Sequence, residues 1–125
     1  RNLEKDLIYS TRVNLPILEI EGQVPPGSIF AAYSAVRLKV EEPPADYDKV
    51  YIYHNDLSIV TQRFPENKAR KTQSNLFVLK ADSFLPNYGQ TTTWVQTFVD
   101  LWNLGDWYAA DFLKITKEKI NELLP

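Results

Sequence analysis

The tract from Thr91 to Leu113, TTTWVQTFVDLWNLGDWYAADFL, constrains the fold more than any other part of the chain. It holds all three tryptophans and is punctuated by Asp100, Gly105, Asp106 and Asp111. Within it Val95, Phe98, Val99 and Trp102 recur at i, i+3, i+4 and i+7, the spacing of one face of an α-helix. The threonines just before them offer side-chain oxygens to the first, otherwise orphaned, backbone N–H groups. The pattern predicts a helix that buries this stripe. Leu104-Gly105-Asp106 then reads as a turn and a fresh N-cap. A second apolar stripe, Tyr108, Ala109, Phe112 and Ile115, runs from there toward Leu123. Together these give a C-terminal Trp-rich helical hairpin.

The rest of the chain alternates short strand and helix signals. Residues 1–10, RNLEKDLIYS, read as a short amphipathic helix with Leu3, Leu7 and Ile8 on one side. The apolar run Leu15 to Ile20 is interrupted by Pro16, which demotes it to an edge or irregular strand. Pro25-Pro26-Gly27-Ser28 is a turn whose serine is placed to cap a helix from Ile29 to about Leu38, its small residues Ala31, Ala32, Ser34 and Ala35 permitting close packing on a sheet. Glu41-Glu42-Pro43-Pro44 stops that helix. Val50 to His54, β-branched and aromatic, is the best strand. Asn55-Asp56 caps a short helix over Leu57 to Gln62, Ser74 to Lys80 supplies another strand, and Phe84 to Gln90 is a Pro/Gly loop. The expected architecture is α/β or α+β, a small three- to four-stranded sheet with packed helices.

A chain of 125 residues is expected to form one domain, residues 1–125. Its 44% hydrophobic and 13% aromatic content argues against disorder, and no apolar run approaches the roughly 20 residues that span a bilayer. With no cysteine there is neither a disulfide framework nor a thiolate metal site, and nothing resembles a signal peptide, so a cytoplasmic location is expected. Methionine is absent even from position 1, and Arg1-Asn2-Leu3-Glu4-Lys5 reads like the interior of a charged helix, which suggests a piece of a longer protein.

Candidate chemistry is sparse. His54, the single histidine, has Tyr53 and Asp56 beside it, an arrangement that fits a general base or a metal ligand. We read it instead as a strand-end histidine bonded to backbone. No His/Cys/Asp/Glu cluster has ligand spacing, so no metal or other cofactor is expected. The carboxylate pairs Glu19/Glu21, Asp46/Asp48 and Asp106/Asp111 fit solvated turns and caps. Neither a phosphate-cradling glycine loop nor a G-x-S-x-G elbow occurs, and no catalytic residue is assigned. Arg63, Lys68, Arg70 and Lys71 form the one concentrated basic patch, diluted by Glu66; it suits either nucleic-acid phosphates or plain solvation. Trp94, Trp102 and Trp107 either fill the core or, for Trp94 and Trp107 with Tyr108, form an exposed partner surface. Asp100, four residues after Gln96, reads as a buried hydrogen-bond partner that fixes the hairpin to the sheet.

The segments V-Q-T-F-V-D-L-W and Y-A-A-D-F-L, with Tyr33-Ser34-Ala35-Val36, Val50-Tyr51-Ile52-Tyr53-His54 and Asn75-Leu76-Phe77-Val78-Leu79 upstream in that order, resemble the C-terminal region of AbiEi-type antitoxins of type IV toxin–antitoxin systems. The similarity covers roughly residues 28 to 115. It implies a non-catalytic effector domain of a transcriptional regulator, with operator DNA bound mainly by an N-terminal winged helix that this sequence has no room for. It also implies opposition to a nucleotidyltransferase toxin, by contact or functionally. A net charge of -2 agrees with a DNA reader located elsewhere. The sequence departs from the pattern where acids and aromatics replace some of the usual basic residues. The rival expectation is a small-molecule sensor whose aromatics line an apolar pocket closed by the Pro86 to Gly89 loop.

Overall fold

The computed structural model describes residues 3–67, 73–81 and 90–125. After a 3-10 turn at Leu3–Asp6, the elements run β1 (Leu7–Thr11), α1 (Ile17–Gln23), β2 (Ile29–Ala31), α2 (Ala32–Val40), β3 (Val50–His54), α3 (Leu57–Arg63), β4 (Leu76–Lys80), α4 (Trp94–Trp102) and α5 (Ala109–Leu123). The four strands make one mixed sheet in the order β1-β4-β3-β2. The central pair β3·β4 is parallel, joined through α3, and the outer pairs β1·β4 and β2·β3 are antiparallel. The α/β class and the C-terminal helical hairpin are as the sequence predicts.

Alternation along the strands sorts the core into two layers. Val50, Ile52, Leu76, Val78 and Phe30 face α1 and α3, packing on Ile20, Val60 and Phe64. Ile29, Ala31, Tyr51, Tyr53 and Leu79 face the opposite way, toward Val36 of α2, Leu101 of α4, and Ala109 and Phe112 of α5. In β1 the register shifts between Leu7 and Tyr9, so Leu7 pairs with Leu79 while Tyr9 pairs with Val78 on the other side.

Three local expectations are corrected. Residues 7–11 form β1 instead of extending a helix, because pairing with β4 outweighs a weak local pattern. The Leu15–Ile20 run does not form a strand: Pro16 sits at the N-cap of α1, where its missing N–H costs nothing, and its carbonyl accepts from Glu19 and Ile20 at 3.0 Å each. Ile29–Ala31 is strand, not the first turn of a helix. Its N–H and C=O groups pair with Tyr51–Tyr53, and Phe30 also exchanges backbone bonds with Gln90 and Thr92 at 2.7 and 3.0 Å. Ser28 therefore caps no helix; its hydroxyl donates to Pro25 O at 2.7 Å. The chain turns from β2 into α2 at Ala32, which adopts φ 52 with a side chain small enough for that left-handed corner.

Elsewhere the local chemistry holds. Asp56 caps α3 by accepting from the Ser58 N–H at 3.1 Å, and Thr93 caps α4 by accepting from the Gln96 N–H at 3.2 Å. Hydrogen bonding to Ser58 also holds the exposed Asp56 carboxyl below its usual range.

Candidate functional site

Helix α4 is turned opposite to the sequence expectation. Its inner side carries Thr97, Asp100 and Leu101, all fully buried, with Trp94 half-buried against the core. The stripe predicted to be buried faces out: Val95 is 61% and Trp102 71% exposed, with Phe98 and Val99 intermediate between them. Polar anchors cause the inversion. Tyr53 Oη donates to the Asp100 carboxylate at 2.9 Å, Gln96 Nε2 donates to Asp100 Oδ1 at 3.0 Å, and Thr97 Oγ1 lies 2.6 Å from Thr92 Oγ1. A buried carboxylate so satisfied can sit in the core, whereas an unpaired one is costly there. Asp100 thus has the structural role expected of it.

Trp102 stacks on Phe98, with centroids 6.0 Å apart and rings inclined by 25°. Past the turn Trp107 is 83% exposed, with its edge against Tyr108. Trp107 is therefore available as a partner anchor. Tyr108 is not: it is buried, its ring packs on Tyr33 and its hydroxyl donates to Asp48 Oδ1 at 2.6 Å. Trp94 is covered on one side by the core, and Lys39 Nζ sits 4.6 Å from its ring centroid. Neither Trp102 nor Trp107 fills the core, which corrects that alternative. Trp102 and Val95 belong to the exposed surface and were missed. The signal was present as the equally periodic polar series Gln96, Thr97, Asp100, which needs partners that only the sheet provides.

The turn between α4 and α5 is fixed from below. Asp106 does not cap α5; its carboxylate accepts from Tyr33 Oη at 2.8 Å and pairs with the Lys49 ammonium. Burial and the Asp106 carboxylate push the Tyr33 phenol well above its ordinary range, and burial with Asp48 does the same for Tyr108. Both phenols therefore stay protonated donors. Beneath this turn lies a cleft of about 450 Å³ whose floor includes Tyr51 and Phe77 and whose wall is Asn103 to Asp106.

The remaining candidates lie apart from the hairpin. Arg63, exposed at the end of α3, lines an open groove with Arg12, Asn14 and Asn67. Arg12, which sequence spacing did not connect with it, also donates to Gln73 O at 3.2 Å. Lys68, Arg70 and Lys71 fall outside the described residues, as does the Pro86 to Gly89 loop. His54 is held by backbone: the Asp56 N–H donates to Nδ1 at 2.9 Å, so the proton sits on Nε2 and points at Pro26 O, 2.9 Å away. The carboxylate pairs split. Glu21 is buried and gathers the Ser34 and Tyr47 hydroxyls and the Arg37 guanidinium, whereas Glu19, Asp46 and Asp111 are exposed. Among the described residues no three metal-ligating side chains converge and no helix is long and apolar enough to cross a membrane. No family profile, curated protein or solved structure matches the chain.

Proposed function

We propose that the chain is the non-catalytic effector domain of an antitoxin-like transcriptional regulator. It opposes a nucleotidyltransferase toxin and supports operator binding by a winged helix carried outside this sequence. The observation that supports this most is the outward stripe of α4, Val95, Phe98, Val99 and Trp102, continued past the turn by Trp107. Exposed aromatics on a rigid, charge-free helix face are the usual anchors of a protein interface. From Gln90 to Gly105 the one charged side chain is Asp100, which is buried, so a partner docks here without desolvating an ion. The Arg12–Arg63 groove, on a different part of the surface and lined also by Glu66, suits phosphate contacts that add to operator affinity.

Co-expression with a nucleotidyltransferase toxin of a type IV system, in a host whose growth that enzyme arrests, tests the proposal. Growth is expected to recover with the intact chain and to stay arrested with the folded Trp102→Ala/Trp107→Ala double variant. Continued arrest with the intact chain overturns the antitoxin assignment. Full recovery with the double variant overturns the role given to the α4 surface. Replacing Arg12 and Arg63 by Ala is expected to lower the salt dependence of operator binding by the full-length protein.

A further inference from the structure

The cleft beneath the α4–α5 turn has the makings of a ligand site that is independent of the outer face of α4. Its floor is aromatic: the Tyr51 and Phe77 rings stack on each other with centroids 4.7 Å apart and planes inclined by 13°, so the faces between them are already filled. Leu7, Leu79 and Leu104 add apolar walls. Tyr51 is 7% exposed, yet its hydroxyl makes no hydrogen bond among the described residues. Every enclosed side-chain nitrogen and oxygen among the described residues has a partner, so this unbonded hydroxyl is open to the cleft. Every neighbouring phenol on this side of the sheet is bonded: Tyr33 to Asp106, Tyr53 to Asp100 and Tyr108 to Asp48. The Tyr51 hydroxyl is thus left to bond whatever occupies the cleft, water or ligand.

The charged edge limits what that partner is. Lys49 is neutralised by Asp106, and Asp48 lies beside it in sequence, already accepting from Tyr108. With two carboxylates to one ammonium this edge is net negative and disfavours an anion. A volume of about 450 Å³ matches a small-molecule site and exceeds what one water needs. We propose that the cleft binds a planar heteroaromatic molecule of purine size that carries no negative charge, packed against the Phe77–Tyr51 stack and hydrogen-bonded to the Tyr51 hydroxyl. Asn103 to Asp106 form the wall and also join Trp102 to Trp107, so tryptophan emission reports on occupancy.

Adenosine and guanosine are the probes, with AMP as the charged comparator, titrated into the isotope-labelled chain and followed by amide resonances and tryptophan emission. At least one nucleoside is expected to shift the amides of Tyr51, Phe77 and Gly105 as a contiguous set and to change tryptophan emission, while AMP binds more weakly. Tyr51→Phe keeps the ring and removes the hydroxyl, and is expected to weaken binding roughly three- to tenfold. Absent or scattered shifts with both nucleosides, AMP binding as tightly as adenosine, or unchanged affinity in Tyr51→Phe overturns the site. None of these outcomes bears on toxin neutralisation, which is read by growth.

Discussion

Helices α4 and α5 are neighbours in one hairpin, yet they meet solvent in opposite ways. The outer face of α5 presents Asp111, Lys114, Lys117 and Glu118, while Phe112 and Ala109 are buried beneath it. That is the ordinary arrangement of a surface helix. On α4 the outer face is apolar and uncharged, and Asp100 and Thr97 are the groups buried. The difference shows that apolar periodicity gives the axis of a helix's asymmetry but not its sign. A buried polar stripe wins the inner position when the sheet offers it complete hydrogen bonding, as Tyr53 does for Asp100.

The largest expected effect is the loss of the fold at alkaline pH. Burial first, and then nearby carboxylates, raise the phenols of Tyr33, Tyr51 and Tyr108 above their ordinary value. A raised pKa means the folded chain keeps protons that the unfolded chain loses above about pH 10. The stability these groups contribute is complete below that pH and drains away as pH climbs from there toward the raised folded-state values. Alkaline titration is expected to give phenolate absorbance from these residues only as the fold is lost, so absorbance and circular dichroism move together. Early, reversible ionisation of all the tyrosines with the fold intact contradicts this.

Next in size is Phe112→Ala. Phe112 is fully buried, with Tyr33, Tyr47 and Tyr108 rings at 4.9, 5.7 and 6.2 Å, and its truncation should cost about 3–5 kcal/mol in urea unfolding. For α4 the matching change is Tyr53→Phe, which leaves the ring and takes the phenol donor from Asp100. A loss of about 1–3 kcal/mol is expected, with faster amide exchange along α4 than along α5. A cost below a few tenths of a kcal/mol makes the polar anchor irrelevant to how α4 is turned. Smallest of all, Trp102→Ala should change stability by less than about 0.5 kcal/mol, since its side chain is mostly in solvent. A cost of several kcal/mol there sharpens the comparison in the other direction and puts Trp102 inside.

Sequence patterning located β3 at Val50–His54 to the residue, the Asp56 cap of α3, β4 with two residues too many at its start, and the two helices of the hairpin with a threonine cap on the first. Those are places where local propensity and tertiary context agree. It misplaced β1, α1 and β2, where they do not. Leu7–Thr11 is a strand because β4 offers it a ladder, and the three residues of β2 are held between β3 and the Gln90–Thr92 segment, far off in sequence. Pro16 was read for its effect inside a strand, whereas its position at a helix start makes it harmless. The candidate surface was half legible. Trp107 is visible from sequence, but Trp102 and Val95 are not without Tyr53. The cleft was out of reach, because Lys49, Tyr51, Phe77 and Asp106 come together only through the parallel β3·β4 pairing and the turn above it.

The most direct test of the inverted α4 is acrylamide quenching of a single-tryptophan chain in which Trp94 and Trp107 are replaced by Phe and Trp102 remains. Efficient quenching and red-shifted emission, like those of free indole in water, are what an outward Trp102 gives. Blue-shifted emission with strong protection places the stripe against the sheet and contradicts the arrangement on which the partner surface rests.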